Sequence, residues 1–258
     1  MTQCPLCNQT SPPVWQVDGF FRCGTCHSII REPMPTEQEL DELYKNSWET
    51  PTATQATAET GGTTARLADA YARNLAPALG RPNLNGQHIL EFGAGRGEMV
   101  RATTQLGADV TPVEPFGWQY LRQCGYNAYA KLDDVPAKEQ FNGVISMDVV
   151  EHLIDPIAMW RRLHGYIKPG GWIFLKTANA NSLRARREGR QWRELLKLGH
   201  LIMFTPESME VFLEKSGFRR YRRFRWLMPY TGKFVKDRLL YLLGQMNLGG
   251  ELIYLAWK

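Results

Sequence analysis

From residue 88 onward, short apolar runs alternate with stretches in which apolar residues recur every three or four positions. The runs at 88–93 (HILEFG), 109–114 (DVTPVE), 127–131 (NAYAK), 143–148 (GVISMD) and 172–177 (WIFLKT) have the length and flanking turn residues of buried strands. Segments near 97–106, 116–124 and 156–167 carry helical spacing between them. Strand and helix in alternation specify an α/β fold with a parallel sheet and crossover helices. A polar insert follows at 178–204. Thr205-Pro206, a hydroxyl cap with proline in the first turn, then opens another helix, and 218–227 and 251–258 are expected to close the sheet.

Upstream the pattern changes twice. Thr36, followed by a run rich in acids, marks a helix to about residue 45, and Leu67, Ala68, Tyr71 and Leu75 mark a second over 64–79. Between them, 50–64 is rich in Thr, Ala and Gly and reads as a linker or lid. Residues 1–35 lack long apolar runs. The expected organisation is a small unit over 1–35, a helical linker over 36–80 and the main domain over 81–258, with 178–204 as its substrate-side insert.

Composition explains how the small unit holds together. Of five cysteines, Cys4, Cys7, Cys23 and Cys26 form two Cys-x-x-Cys pairs separated by 15 residues. Two such knuckles complete a tetrahedron around Zn²⁺, and four thiolates leave no position for water, so the metal is expected to be structural. His27 beside the last ligand reads as a bystander, and Cys124 as a small buried hydrophobe. The 258 residues, 43% hydrophobic, suffice for a full core. No apolar run approaches the roughly 20 residues of a membrane span, and the start lacks the basic and apolar regions of an export signal, so a cytoplasmic location is expected. The net charge of +5 favours an acidic partner without choosing one.

The sharpest chemical signal is Glu91-Phe-Gly-Ala-Gly-Arg-Gly97, placed where a strand gives way to a helix. Glycines there remove Cβ atoms where backbone must turn and meet a ligand. The third glycine follows the second by two residues rather than three, and an acid stands two residues before the first, unlike the dinucleotide fingerprint. That carboxylate would repel a pyrophosphate but attracts the ammonium and sulfonium of S-adenosylmethionine (SAM), leaving the turn's N–H groups for the methionine carboxylate. Glu114, 19 residues after Gly95 at the end of the next strand, suits the ribose hydroxyls.

These residues, with Glu114-Pro115, Asp148-Val-Val-Glu-His152 after the fourth strand and Lys168-Pro-Gly-Gly171 before the fifth, resemble the successive motifs of class I SAM-dependent methyltransferases, in their order over about 64–258. The cysteine pairs followed by Arg31-Glu-Pro-Met-Pro resemble the N-terminal extension of a bacterial subgroup that includes deoxysugar C-methyltransferases and enzymes of polysaccharide or natural-product clusters. The resemblance implies a Rossmann-like seven-stranded, mostly parallel sheet with helices on both faces and a reversed last strand, beside a zinc-ribbon-like domain. It implies that Gly93, Ala94 and Gly95 hold the methionine part, Glu114 the ribose and the Leu132-Asp133 region the adenine, with Glu91, Gly97, Pro115, Met147 and Asp148 also at the cofactor.

In such sheets ligands sit at the carboxyl ends of the strands, which puts Glu151 and His152 beside the transferred methyl group. Three roles stay open there. His152 can take a proton from the acceptor with Glu151 orienting it; it can cap and pack; or Asp148, Glu151 and His152 can bind a divalent metal, an option kept open by a resemblance of this segment to methyltransferases of ubiquinone-type quinone synthesis. His200, before the helix at 205, is a further candidate over the acceptor, and Tyr44 and Trp48 can cap the pocket or merely pack. The acceptor is expected to be small or linked to a sugar or nucleotide, and anionic.

Rival readings start from Phe218-Arg-Arg-Tyr-Arg-Arg-Phe-Arg-Trp226. Five arginines among aromatics suit an RNA methyltransferase, or an outer strand whose arginine stems cover apolar surface. A non-catalytic SAM-binding scaffold and a nicotinamide enzyme are the remaining alternatives, and the acids around the glycine turn disfavour the latter.

Overall fold

The structure is a computed structural model and describes residues 2–17, 19–49, 63–136, 140–223 and 233–258. The first thirty residues form short antiparallel pairs between the cysteine turns: β1 (Thr2–Gln3) with β2 (Thr10–Ser11), and β3 (Trp15–Val17) with β4 (Phe20–Arg22) and β5 (Ile29–Arg31). Helix α1 (Glu37–Glu49) starts on a reciprocal cap. The Thr36 N–H donates to Glu39 Oε2 at 2.7 Å, and Thr36 Oγ1 accepts from the Glu39 N–H at 3.3 Å. The expected linker falls almost wholly outside the described residues, and α2 (Thr63–Ala78) follows it.

The alternating pattern then builds the main sheet. Parallel strands β6 (His88–Phe92), β7 (Asp109–Val113), β8 (Phe141–Met147) and β9 (Ile167–Ala178) are joined through α3 (Glu98–Thr104), α4 (Trp118–Gln123) and α5 (Pro156–Tyr166). Next come α6 (Leu183–Glu188), α7 (Arg193–Leu196), β10 (Ile202–Met203), α8 (Pro206–Lys215), β11 (Arg220–Arg223), α9 (Phe234–Gln245) and β12 (Glu251–Trp257). The spatial order is β11-β12-β9-β8-β6-β7, with β12 antiparallel to both neighbours, so the last strand is the reversed one.

Side-chain alternation along these strands makes two cores. Val144, Ile173, Leu175 and Tyr254 face Trp160 of α5 and Phe212 of α8, whereas Ile145, Phe174 and Leu255 face Tyr71 and Leu75 of α2 and Val100 of α3. Helices therefore cover both faces.

Two expectations are corrected. Residues 127–131 are not a seventh strand; the described sheet has six, and only Tyr129 bridges to Val113. The Tyr129 N–H donates to the Pro112 carbonyl at 2.9 Å, so the Pro112 nitrogen faces the same edge, and it has no hydrogen with which to continue the ladder. Cys124 is exposed rather than buried, because it ends α4 on the outer side just before Gly125. Of the expected strand at 218–227, residues 220–223 are observed and 224–227 lie outside the described residues.

An unexpected join links the cysteine unit to the insert. Strand β5 pairs antiparallel with β10, Ile30 opposite Ile202 and Ile29 opposite Met203. The Arg31 N–H donates to the Leu201 carbonyl at 2.8 Å, and Thr205 Oγ1 donates to the Cys26 carbonyl at 3.2 Å.

Candidate active site

At the end of β6 the chain turns through Gly93, Gly95 and Gly97, with φ of +78°, +53° and +81°. At Gly93 a Cβ would stand 2.3 Å from Val149 Cγ2, so this glycine lets the turn lie against the end of β8. A Cβ at Gly95 would meet only open space in the cleft. The Gly95 N–H donates to Glu114 Oε2 at 2.8 Å and the Phe116 N–H to Oε1 at 3.3 Å, fixing the carboxylate across the turn.

Glu91 lies behind this turn, 4% exposed, with Oε2 unpartnered among the described residues. Burial first, then the charges of Glu98 and Glu114, holds its carboxyl well above the usual range; burial also raises Glu114. Buried carboxyls that resist ionising, one with an orphan acceptor, suit an incoming cation. SAM, with its sulfonium and ammonium, fits that requirement.

At the end of β8, Asp148 takes a left-handed backbone (φ +55°) and ion-pairs with Lys176 of β9, which also reaches Glu251 at 3.7 Å. Burial works against the Lys176 charge, but Asp148 and Glu251 outweigh it and hold the ammonium. The next turn brings Glu151 and His152 inward. Burial, then the Asp148 charge, pushes Glu151 up to about 8.

Nδ1 of His152 lies 2.8 Å from the Gly199 carbonyl, which also accepts the Tyr44 hydroxyl at 3.0 Å. A carbonyl only accepts, so Nδ1 carries the hydrogen and the lone pair is on Nε2. Burial lowers His152 and, with the neighbouring His152 charge, takes His200 down to about 3. The two rings meet edge to face with centroids 4.7 Å apart. Ligand atoms of Glu151, His152 and His200 lie within 4.8 Å of one another, a spacing that can hold a divalent ion.

The cleft joining these groups has a volume near 1550 Å³, beyond the roughly 300–1,000 Å³ of a single-ligand pocket and sufficient for a cofactor beside an acceptor. Gly93, Gly95, Glu114, Pro115, Met147, Asp148, Glu151, His152 and His200 all line it. Ala94 and Gly97 shape the turn from behind. Asp133 is elsewhere, exposed and ion-paired with Arg162 at the cleft edge. Tyr44 and Trp48 bring α1 over the opening: Arg96 stacks on Trp48 with 4.7 Å to its ring, and Trp48 sits so close to Gly117 that a Cβ there would meet it at 2.2 Å. The sequence reading missed Lys176 and Arg96. Lys176 had a signal, a lone cation inside an apolar strand, whereas Arg96 looked like filler between two glycines.

In the N-terminal unit, Sγ of Cys4 and Cys26 are 3.6 Å apart, those of Cys7 and Cys23 3.7 Å apart, and all four are buried. Tetrahedral zinc–thiolate bonds of about 2.3 Å need sulfurs about 3.8 Å apart, so the cluster fits Zn²⁺. The arginines of β11 are engaged with the protein: Arg220 and Arg222 stack on Trp257 at 4.7 and 5.7 Å, and Arg223 bonds Asn247.

A family profile described as a methyltransferase domain matches residues 63–221. The ubiquinone biosynthesis O-methyltransferase of Bordetella avium is 33% identical over 110 residues, covering 38% of this chain and 46% of that protein. That of Cereibacter sphaeroides is 29% identical over 170 residues, covering 60% and 68%. The chain spans about half the length of most such curated relatives. Among solved structures, the 1,6-didemethyltoxoflavin-N1-methyltransferase of Burkholderia thailandensis, crystallised with 1,6-didemethyltoxoflavin and S-adenosylhomocysteine, superposes with a TM-score of 0.56 at 17% identity over 92% of this chain and 97% of that one. A SAM-dependent methyltransferase from Archaeoglobus fulgidus gives 0.55 at 18% identity over 75% and 94%. At these identities the superpositions speak for the fold.

Proposed function

Because the chain belongs to the methyltransferase-domain family, we propose that it moves the methyl group of SAM onto a small hydroxyl-bearing acceptor, free or linked to a sugar or nucleotide, with His152 as general base. The observation that carries the base is the Gly199 carbonyl on Nδ1, which reserves the Nε2 lone pair for a proton. When bound, SAM supplies an electrophilic methyl and a good leaving group. Glu114 takes the ribose, Glu91 supplies negative charge behind the methionine part, and Gly95 leaves room for it. Nε2 of His152 would accept the O–H proton of an acceptor aligned with that methyl group, leaving the oxygen free to take it. Tyr44 and Gly199 keep the ring from turning. The names of the curated relatives, O-methyltransferases, support oxygen as the nucleophile.

Methyl-labelled SAM incubated with a fractionated metabolite pool, followed by mass identification of the product, tests this reading. A labelled small molecule whose formation collapses in His152→Ala is the expected result. Label appearing in RNA would favour the nucleic-acid reading, and SAM binding without transfer would favour a scaffold.

A second reading draws on the spacing of Glu151, His152 and His200: these side chains hold a divalent cation that binds the acceptor oxygen. It competes for the same Nε2. Turnover abolished by a chelator and restored by Mg²⁺ or Zn²⁺, with the cysteine-bound metal retained throughout, would favour it over the base.

A further inference from the structure

Among the described residues, ten large apolar side chains are well exposed, and nine of them fall in two short stretches, 183–198 and 234–246. Only Val14 lies elsewhere. Both stretches border the mouth of the cleft: Arg184, Arg193 and Lys197 of the first and Leu240, Tyr241 and Gln245 of the second line it. They also touch, since the Leu183 N–H donates to the Leu248 carbonyl at 3.0 Å just beyond α9. The exposed apolar surface is therefore a rim around one opening.

Helix α9 is inverted relative to an ordinary surface helix. Its one buried residue is Asp237, while Val235, Leu239, Leu242 and Met246, at i, i+4, i+7 and i+11, form a stripe on the opposite side, 79%, 55%, 56% and 66% exposed. On the other side of the opening Leu196 and Leu198 are 66% and 70% exposed. Contiguous apolar surface of this kind marks an interaction site rather than chance.

Charge selects the occupant. Residues 183–198 hold six basic residues and two acids, and 233–246 three basic residues and one acid. The acids are withdrawn: Glu188 pairs with Arg184 at 2.7 Å, Glu194 with Lys197 at 2.6 Å, and Asp237 is buried. The rim's net +6 exceeds the +5 of the whole chain, so the remainder is slightly acidic. A second copy docking here would bring like charges together. Nucleic acid would welcome the cations, but seven of the nine apolar side chains are aliphatic and cannot stack on bases. Aliphatic side chains among cations suit the headgroup and acyl boundary of an anionic bilayer.

We infer that the rim formed by 183–198 and α9 docks on an anionic lipid surface, holding the cleft mouth against the membrane. The docked protein lies on the bilayer; no helix among the described residues is long and apolar enough to cross one. This placement gives the active site access to acceptors anchored in the membrane.

Sedimentation of the full chain with phosphatidylcholine vesicles, with and without phosphatidylglycerol, tests the inference. Binding should be at least about tenfold tighter to the anionic vesicles and should weaken in about 0.5 M salt. Arg187→Glu with Lys236→Glu should reduce it about tenfold or more, and Leu239→Gln with Leu242→Gln should abolish it. None of these four residues lines the cleft, so SAM affinity and the melting temperature should stay unchanged and report intact folding. Three results would overturn the inference: absence of vesicle binding; equal binding by the Leu239→Gln/Leu242→Gln protein, which would mean charge adsorption alone; or, without vesicle binding, RNA binding or a dimer that this variant splits.

Discussion

The hydroxyl of Tyr44 in α1 and Nδ1 of His152 lie 2.8 Å apart, both directed at the carbonyl of Gly199. Three segments more than forty residues apart thus converge on one imidazole edge. His152→Ala should lower kcat by roughly 10²–10⁴ while SAM affinity changes by less than about twofold. Tyr44→Phe removes one supporting hydrogen bond and should cost about fivefold in kcat with KM little changed. Single-turnover methyl transfer with saturating SAM measures both.

Glu114 accepts from the Gly95 N–H of the glycine turn and from the Phe116 N–H, and in the proposed reading it takes the ribose. Glu114→Ala should weaken SAM binding by about 10–100-fold, the equivalent of one or two hydrogen bonds to a charged group. Titration calorimetry against SAM and S-adenosylhomocysteine should show the same loss for both, because they share the ribose.

Glu91 predicts opposite effects on stability and binding. Its folded-state carboxyl titrates above the ordinary value, so the folded protein holds that proton more tightly than the unfolded chain. The associated stability is fully present below about pH 4.3 and is lost as pH rises through the folded value. Glu91→Gln, which stays neutral, should therefore melt higher than the parent at pH 8, by an amount that shrinks toward pH 4. The same change should weaken SAM binding, since the charge behind the sulfonium is gone. Thermal melts over pH 4–8 with parallel calorimetry check both signs.

Loss of a metal from the four-cysteine cluster, where Zn²⁺ fits, should act at a distance. Strand β5 carries β10, and Arg31 bonds the carbonyls of His200 and Lys197 at 3.0 and 3.2 Å. A strong chelator or Cys23→Ser should release zinc, measured with a colorimetric ligand, lower the melting temperature and reduce kcat by about tenfold or more as the 197–203 turn loosens. An unchanged kcat with zinc gone would separate the two units.

Much of this was legible in the residue pattern because the parallel strands are buried on both faces and read as apolar runs flanked by glycines. The Glu91–Gly97 turn, Glu114 and Glu151-His152 were visible for the same reason: charged or Cβ-free positions at the ends of apolar runs stand out. The failures have local causes. The 127–131 strand was expected from its spacing, but Pro112 on the neighbouring strand withholds the donor it needs. The β5–β10 pairing involves two residues of β10, fewer than any periodicity can reveal. His200 was legible from its place before the helix at 205, and the pairing supplies the physical reason that its turn reaches the cleft.

The pairing of β5 with β10 also orders events during synthesis. Both cysteine pairs precede residue 31, yet the strand that covers the open edge of Ile29–Arg31 is translated some 170 residues later. Until then the nascent chain carries an unpaired edge beside Ile29 and Ile30, which are buried in the finished protein. The four-cysteine unit is thus synthesised long before the strand that shelters its edge, so that edge stays open while residues 32–201 are made.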